Sequence, residues 1–264
     1  GFFYDVLHLP DNTIMPLKVR SLVGLLPLLA VETLEPTLMD SMPDFDRRAH
    51  WFINNRPDLG DKIASIDIPG MGERRLMSIL TRDQLVRVLH YLLDENEFLS
   101  PYGIRSLSKI YQDNPYELTV NGHLYTVRYL PAESDNGMFG GNSNWRGPIW
   151  FPTNYLIIEA LQRYHHYYGD DLKVEMPTGS GKMYTLAQIA DDLSERLVAM
   201  FKCDPETNVR PVYGGQDVFN EDEHWRDYLL FYEYFNGDDG AGLGASHQTG
   251  WTGLVAKLIQ SSRG

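Results

Sequence analysis

Between Leu186 and Phe201 the apolar residues Leu186, Ile189, Ala190, Leu193, Leu197, Met200 and Phe201 recur every three or four positions. That spacing keeps one side of a helix apolar, and so regular a stripe has to be buried against other elements. It commits the chain to a packed helical layer, ended where Asp204-Pro205 cannot continue the turn. Other segments carry the same signal. Thr81 is a good N-cap ahead of Leu85, Val88, Leu89 and Leu92, and Pro148 opens a helix bearing Leu156, Ile157, Ala160, Leu161 and Tyr164, closed by Gly169. Helices are also expected over Asp44 to Asn54 and from Thr249 through Leu254, Val255 and Leu258. Leu17 to Val31 reads as a helix with Pro16 in its first turn and a kink at Pro27. Strand pattern is concentrated in Tyr116 to Leu130, around the hairpin dipeptide Asn121-Gly122.

The 264 residues suffice for one large domain or two modest ones. A net charge of −13 with no long Lys/Arg run repels a phosphate backbone, so nucleic acid is not an expected partner. Nor is a membrane, because the longest apolar run, Leu22 to Val31, is broken by Gly24 and Pro27 and is too short to span one. The single Cys203 excludes an internal disulfide framework and fits a reducing compartment, for which the cytoplasm is the expectation. The opening Gly1-Phe2-Phe3-Tyr4-Asp5 has neither an initiator Met nor a signal-peptide pattern, and reads as a piece of a longer protein.

Several motifs are set aside. Thr178-Gly179-Ser180-Gly181-Lys182 has Met176 and Met183 where a phosphate loop needs Gly and Ser/Thr, so a polar turn is expected there. His165-His166 point in different directions on a helix and suit its negative end better than a metal. The run Glu221 to Asp227 lacks the spacing of a calcium loop, so no metal is assigned. No Gly-x-Ser-x-Gly elbow supports a serine nucleophile.

Three loops share one character. Ser100 to Ser108 contains Tyr102 and Arg105, Gly140 to Trp150 contains Trp145, Arg146, Gly147 and Trp150, and Tyr232 to Gly237 is followed by Gly244 to Trp251. Each joins an aromatic platform to charged or amide groups and permissive glycines. Such a mixture suits a sugar ring, whose C–H faces stack on aromatics while its hydroxyls take fixed hydrogen bonds. Loops this long in a helical domain are usually functional when they are not disordered.

The segments Asn144-Trp145-Arg146-Gly147-Pro148-Ile149-Trp150, Tyr232-Glu233-Tyr234-Phe235-Asn236 and His247-Gln248-Thr249-Gly250-Trp251-Thr252, in that order, resemble glycoside hydrolase family 63. Phe3 to Leu7, Leu17 to Ser21 and Tyr102 to Ser106 are similar to its bacterial and fungal branch, so the resemblance covers nearly the whole chain.

The resemblance implies a mainly α fold, an (α/α)6 barrel, of which residues 1–264 form the C-terminal half to two-thirds, with a small β-hairpin insertion. It also implies an inverting hydrolase of α-glucosidic or related α-linked bonds, needing no cofactor. One carboxyl group protonates the leaving oxygen while another activates water across the ring. Glu233 falls on the general base. The general acid is an aspartate upstream, and Asp5, Asp94 and Asp135 do not match its context. Trp145, Arg146, Gly147, Trp150, Tyr102, Arg105, His247 and Trp251 are the expected sugar contacts. Trp150 and Trp251 have a second reading as core, and Arg146 as a structural ion-pair or stacking residue. The implied partners are an oligosaccharide or small α-glycoside, and the rest of the barrel or a second copy covering exposed apolar helix faces. A sugar-binding scaffold without activity and another (α/α)6 glycosidase such as a trehalase are the alternatives.

Overall fold

The computed structural model describes residues 1–60, 64, 66–135 and 147–261. Eight α-helices lie among them: α1 (Pro36–Ser41), α2 (Pro43–Asn55), α3 (Pro57–Gly60), α4 (Arg82–Leu92), α5 (Phe151–Tyr168), α6 (Leu186–Ala199), α7 (Asp217–Glu221) and α8 (Leu254–Ser261). The long ones start and stop where local chemistry dictates. α4 and α6 each begin with a capping box, Thr81 with Gln84 and Thr185 with Gln188, so that two otherwise orphaned N–H groups are satisfied at each start. α5 carries Pro152 in its first turn, where a missing N–H costs nothing, and ends at Gly169, whose φ of 58° a residue with a Cβ rarely adopts. Thr81→Ala and Thr185→Ala are each expected to cost about 1 kcal/mol of unfolding free energy in urea titrations.

α5 packs along α6, and both meet α8. The α6 stripe is buried as its period requires: Leu186, Ile189, Ala190, Leu193 and Leu197 are at most 1% exposed. Leu85, Val88, Leu89 and Leu92 of α4 and Ile157, Leu161 and Tyr164 of α5 join the same core. Each such leucine or isoleucine contributes roughly 1.5–3 kcal/mol on burial, which fixes the ends of α5 and α6 relative to each other. Among the described residues, no helix is long and apolar enough to cross a membrane.

Strands are more numerous than the alternation predicts. Six two-stranded antiparallel ribbons are present among the described residues. The expected one pairs Tyr116–Val120 with His123–Val127 through Asn121 and Gly122 at φ 51° and 78°, the doubly left-handed turn for which Asn-Gly is suited. Val31–Leu34 with Arg75–Ser78 and Leu99–Ser100 with Gly103–Ile104 are two more. Strands of two to four residues are too short to display a period in the sequence. The mainly α expectation is corrected to a mixture of helices and small ribbons, and the described residues do not display a closed barrel.

The helix expected over Leu17 to Val31 is also corrected. Pro16 lies in the strand Ile14–Leu17, Leu22–Leu29 forms 3-10 turns, and Val31–Leu34 is a strand. Pro27 has no N–H to give to the helical ladder. Gly24 is pressed so closely under Phe2 that an added Cβ would come within 2.2 Å of the ring.

The turn at Thr178–Lys182 closes the ribbon of Lys173–Glu175 with Met183–Thr185. The Glu175 carboxylate accepts the Gly181 N–H, and the N–H groups of Gly179 and Gly181 hold its pKa below the ordinary glutamate value. The anion in this nest is therefore the protein's own side chain. At the end of α5, His166 Nε2 meets a Glu35 carboxylate oxygen at 2.7 Å.

Candidate active site

The hairpin that carries Glu233 pairs Tyr234–Phe235 with Gly242–Leu243. Phe235 anchors it. Its ring is fully buried, edge-on to Phe151 at 5.5 Å and to Phe201 at 5.8 Å, at the start of α5 and just past the end of α6. Ile149 exchanges both backbone hydrogen bonds with Phe235, at 2.8 and 2.9 Å, and bridges to Arg105 on its other side. Three separate loops are thereby laid edge to edge.

Glu233 lies at the open end of the hairpin and is half-buried. Its N–H donates to the Leu243 carbonyl at 3.2 Å, and its Oε2 accepts the Ala245 N–H at 3.2 Å. Gly244 makes that approach possible. Its φ is 70°, and a Cβ there would fall 2.5 Å from the Tyr234 ring and 2.8 Å from Glu233 Oε2. The segment beyond is pinned to the same strand: Gln248 N–H donates to the Phe231 carbonyl at 2.7 Å, and the buried Thr252 hydroxyl donates to the Tyr232 carbonyl. His247, which is exposed, and Trp251, which is 38% exposed, are thus brought to Glu233's end. Trp150 is buried behind them. It stacks on Tyr234 with centroids 5.0 Å apart and meets Trp251 at 5.6 Å. Tyr234 in turn donates its hydroxyl to Glu133 at 2.8 Å.

The other expected residues gather at the opposite end, around the turn Asn236–Ala241. The Arg105 guanidinium is buried. It donates through Nε to the Tyr129 hydroxyl at 3.0 Å and through Nη1 to the Leu99 carbonyl, and Nη2 pairs with Asp238 at 3.3 Å. The Tyr129 hydroxyl also donates to Asp238, at 2.8 Å, and its pKa is raised, first by burial and then by Asp238, with Arg105 opposing. Tyr102 lies against Gly240, where a Cβ would come within 2.9 Å of its ring. Gly147 has φ 148° and runs directly under the Leu130 carbonyl, 1.9 Å from where its Cβ would be. Arg105, Tyr102 and Gly147 therefore grip the turn, while Glu233, His247, Trp251 and Trp150 lie at the open end. Trp145 and Arg146 lie outside the described residues.

Several residues that build the site escape a reading of the sequence. Asn154 of α5 is 2% exposed. It accepts the Ile104 N–H at 2.7 Å and donates to the carbonyls of Ile104 and Trp150 at 3.1 and 2.9 Å. An asparagine within a helix is a weak propensity choice, and that was its only signal. Asp238 could have been found in the turn-rich run Asn236-Gly237-Asp238-Asp239-Gly240.

Glu97 anchors the loop that delivers Tyr102 and Arg105. It pairs with Arg20 and accepts the Ser108 hydroxyl. Burial nonetheless raises its pKa above the ordinary 4.5, outweighing Ser108 and Arg20. A raised folded-state pKa means that the stability linked to the protonated form is complete below 4.5 and is lost as pH rises through the folded value. Unfolding free energy of the wild-type chain should therefore fall relative to Glu97→Gln as pH rises above 4.5; a pH-independent difference between the two proteins would contradict it.

The half-buried Glu233 carboxylate, fixed by a backbone N–H, thus shares its end of the hairpin with the partly exposed ring of Trp251, on loops held by buried polar pairs. Sequence comparison defines the class: the mannosylglycerate hydrolase MGH1-like glycoside hydrolase domain matches residues 75–252, and the chain belongs to that family. The uncharacterized protein YMR196W of Saccharomyces cerevisiae is 54% identical over 260 residues, 98% of this chain and 24% of its own length. Mannosyl-oligosaccharide glucosidases are more distant homologues. A probable one from Schizosaccharomyces pombe is 30% identical over 71% of this chain and 17% of its own length. One from Saccharomyces cerevisiae is 26% identical over 67% of this chain and 15% of its own length. The chain thus spans a quarter or less of each of these relatives.

Proposed function

We propose that this chain supplies the general base, Glu233, of an inverting glycoside hydrolase acting on an α-glucosidic or related α-linked bond. Family membership and homology to the two glucosidases support the reaction class. The observation that carries Glu233 is its carboxylate, held by the Ala245 N–H beside Trp251 and His247 at the open end of the hairpin. In such a reaction the base draws a proton from water as that water attacks the anomeric carbon. The acid, roughly 6.5–9.5 Å away, protonates the departing oxygen. The family resemblance assigns that acid to an aspartate, and no aspartate of residues 1–264 matches its context.

Trp251, His247, Trp145 and Arg146 contact the sugar, with Trp150 backing Trp251. Arg105, Tyr102 and Gly147 are positioning residues that hold the turn and so the direction of the strand bearing Glu233. The frame is an (α/α)6 barrel to which α4, α5, α6 and α8 contribute. Its remaining helices, or a second copy, cover α2, which has no buried residue of its own. The chemistry uses no cofactor.

The test is turnover by the full-length protein, followed by proton NMR, on a glucose-capped mannosyl-oligosaccharide, small α-glucosides, trehalose and mannosylglycerate. The β-anomer should be released first from an α-glucoside. First release of the α-anomer would sink inversion, preferred cleavage of trehalose would move the assignment to a trehalase, and no turnover of any member would favour a sugar-binding scaffold.

A further inference from the structure

The far end of α5 carries a second group of polar side chains. The helix has 18 residues, so at 1.5 Å per residue its ends are about 27 Å apart. Trp150 and the Glu233 hairpin lie at one end, and Tyr168 and Gly169 at the other. There an open cavity of about 800 Å³ is lined by Met71, Arg82, His165, Tyr168, Asp170 and Asp171 together with their neighbours.

Its walls are fixed by close packing. Tyr167 donates its hydroxyl to the Ile68 carbonyl at 2.8 Å, a Cβ on Gly70 would fall 2.5 Å from Tyr167, and one on Gly169 would fall 2.9 Å from Met71 Sδ. Arg82 donates through Nη2 to the Asp171 carbonyl at 3.3 Å, and the other polar groups are left unused. His165 Nδ1 is buried with no hydrogen-bond partner among the described residues. Among those residues the Tyr168 hydroxyl and the Asp170 and Asp171 carboxylates likewise have no hydrogen bond or ion pair. Burial pushes the Tyr168 phenol up to about 12, against the pull of nearby Arg82, so at neutral pH it is a hydroxyl donor. The unpartnered His165 Nδ1 donates or accepts according to the tautomer.

The buried His165 Nδ1 calls for a partner, and the exposed Arg82, Asp170 and Asp171 around it can give further hydrogen bonds to the same ligand. Two carboxylates accept, Arg82 and Tyr168 donate, His165 Nδ1 can do either, and Met71 and the Tyr168 ring offer apolar surface. Two carboxylates lining the cavity against one guanidinium disfavour an anion, and the guanidinium disfavours a bare cation. A ring of hydroxyls that both donate and accept, with C–H faces between them, matches the set. We propose that this cavity binds one neutral pyranose unit, as a glycan-holding subsite separate from the Glu233 hairpin. It would do so whether or not that hairpin hydrolyses a glycoside.

The test is titration of the full chain with D-glucose, D-mannose and methyl α-D-glucoside, read by saturation-transfer NMR and calorimetry, with inorganic phosphate as the competing probe. At least one sugar should bind saturably in the millimolar range. The double variant Asp170→Asn with Asp171→Asn, at two exposed positions outside the core, should weaken that binding at least about tenfold, equivalent to about 1.4 kcal/mol. His165→Ala should do the same, whereas Glu233→Gln should leave this binding unchanged. Sugar binding indifferent to both cavity variants, no saturable binding of any of the three sugars, or displacement of the sugar by phosphate would each overturn the assignment.

Discussion

Glu233→Gln should lower kcat of the full-length protein by about 10³, within the 10²–10⁴ that a general base contributes, and leave KM almost unchanged. The substitution keeps shape and hydrogen bonding: the amide oxygen can still accept the Ala245 N–H that Glu233 Oε2 accepts at 3.2 Å. What it removes is the ability to take a proton from water. A loss confined to kcat is the signature of a group needed only in the transition state. Because Glu233 is half-buried at a hairpin end, unfolding free energy should change by no more than about 0.5 kcal/mol. A companion variant separates the base from a merely positioning role. Glu233→Ala opens space at the same point, and sodium azide should restore its turnover, since an anionic nucleophile needs no deprotonation. Activity of Glu233→Gln above a tenth of wild type would remove Glu233 from the mechanism.

Asn154→Leu should destabilise the fold by about 3 kcal/mol, because a buried donor or acceptor left without a partner costs about 1–3 kcal/mol. The leucine fills the volume but strands the Ile104 N–H and C=O inside the protein and releases the Trp150 carbonyl. In a chain of this size each kcal/mol moves Tm by about 2–4 °C, so the expected drop is roughly 10 °C by calorimetry. The damage should reach the site as well. Ile104 is joined to Arg105, and Arg105 holds Asp238 in the turn of the Glu233 hairpin. Asn154→Leu should therefore lower activity even at temperatures where the protein remains folded. A stability loss below about 1 kcal/mol would mean that the loop finds other partners for those backbone groups.

The two variants probe different levels of the molecule, and the sequence is informative about them to different degrees. Helix α6 is legible from its apolar period and its Asp204-Pro205 stop, and the structure adds the Thr185–Gln188 cap at its start. Asn121-Gly122 similarly dictates its own turn through two left-handed backbone angles. The segment from Leu17 to Val31 is not legible, because its apolar run fits a helix while Pro27 and the close approach of Phe2 to Gly24 favour 3-10 turns. Arg105 is the sharpest contrast at the site. In sequence it is a cation beside an aromatic residue in a glycine-bearing loop. In the fold its guanidinium is consumed by Tyr129, Leu99 and Asp238.

By itself, then, the sequence determined the apolar faces of the long helices, the Thr81 cap of α4, the Asn-Gly hairpin, the excess of negative charge and the kinship to glycoside hydrolases, which depend on neighbours within a few positions or on matched motifs. It did not determine the start of α5, which lies at Phe151 and not at Pro148, the residue before the bridge residue Ile149. Only the tertiary structure decided which end of the hairpin each residue occupies. That choice was made by burying Phe235 between Phe151 and Phe201 and by the pairing of Ile149 with both Phe235 and Arg105. These contacts join residues tens of positions apart, and their energies depend on the water excluded when all the segments meet, which no local pattern records.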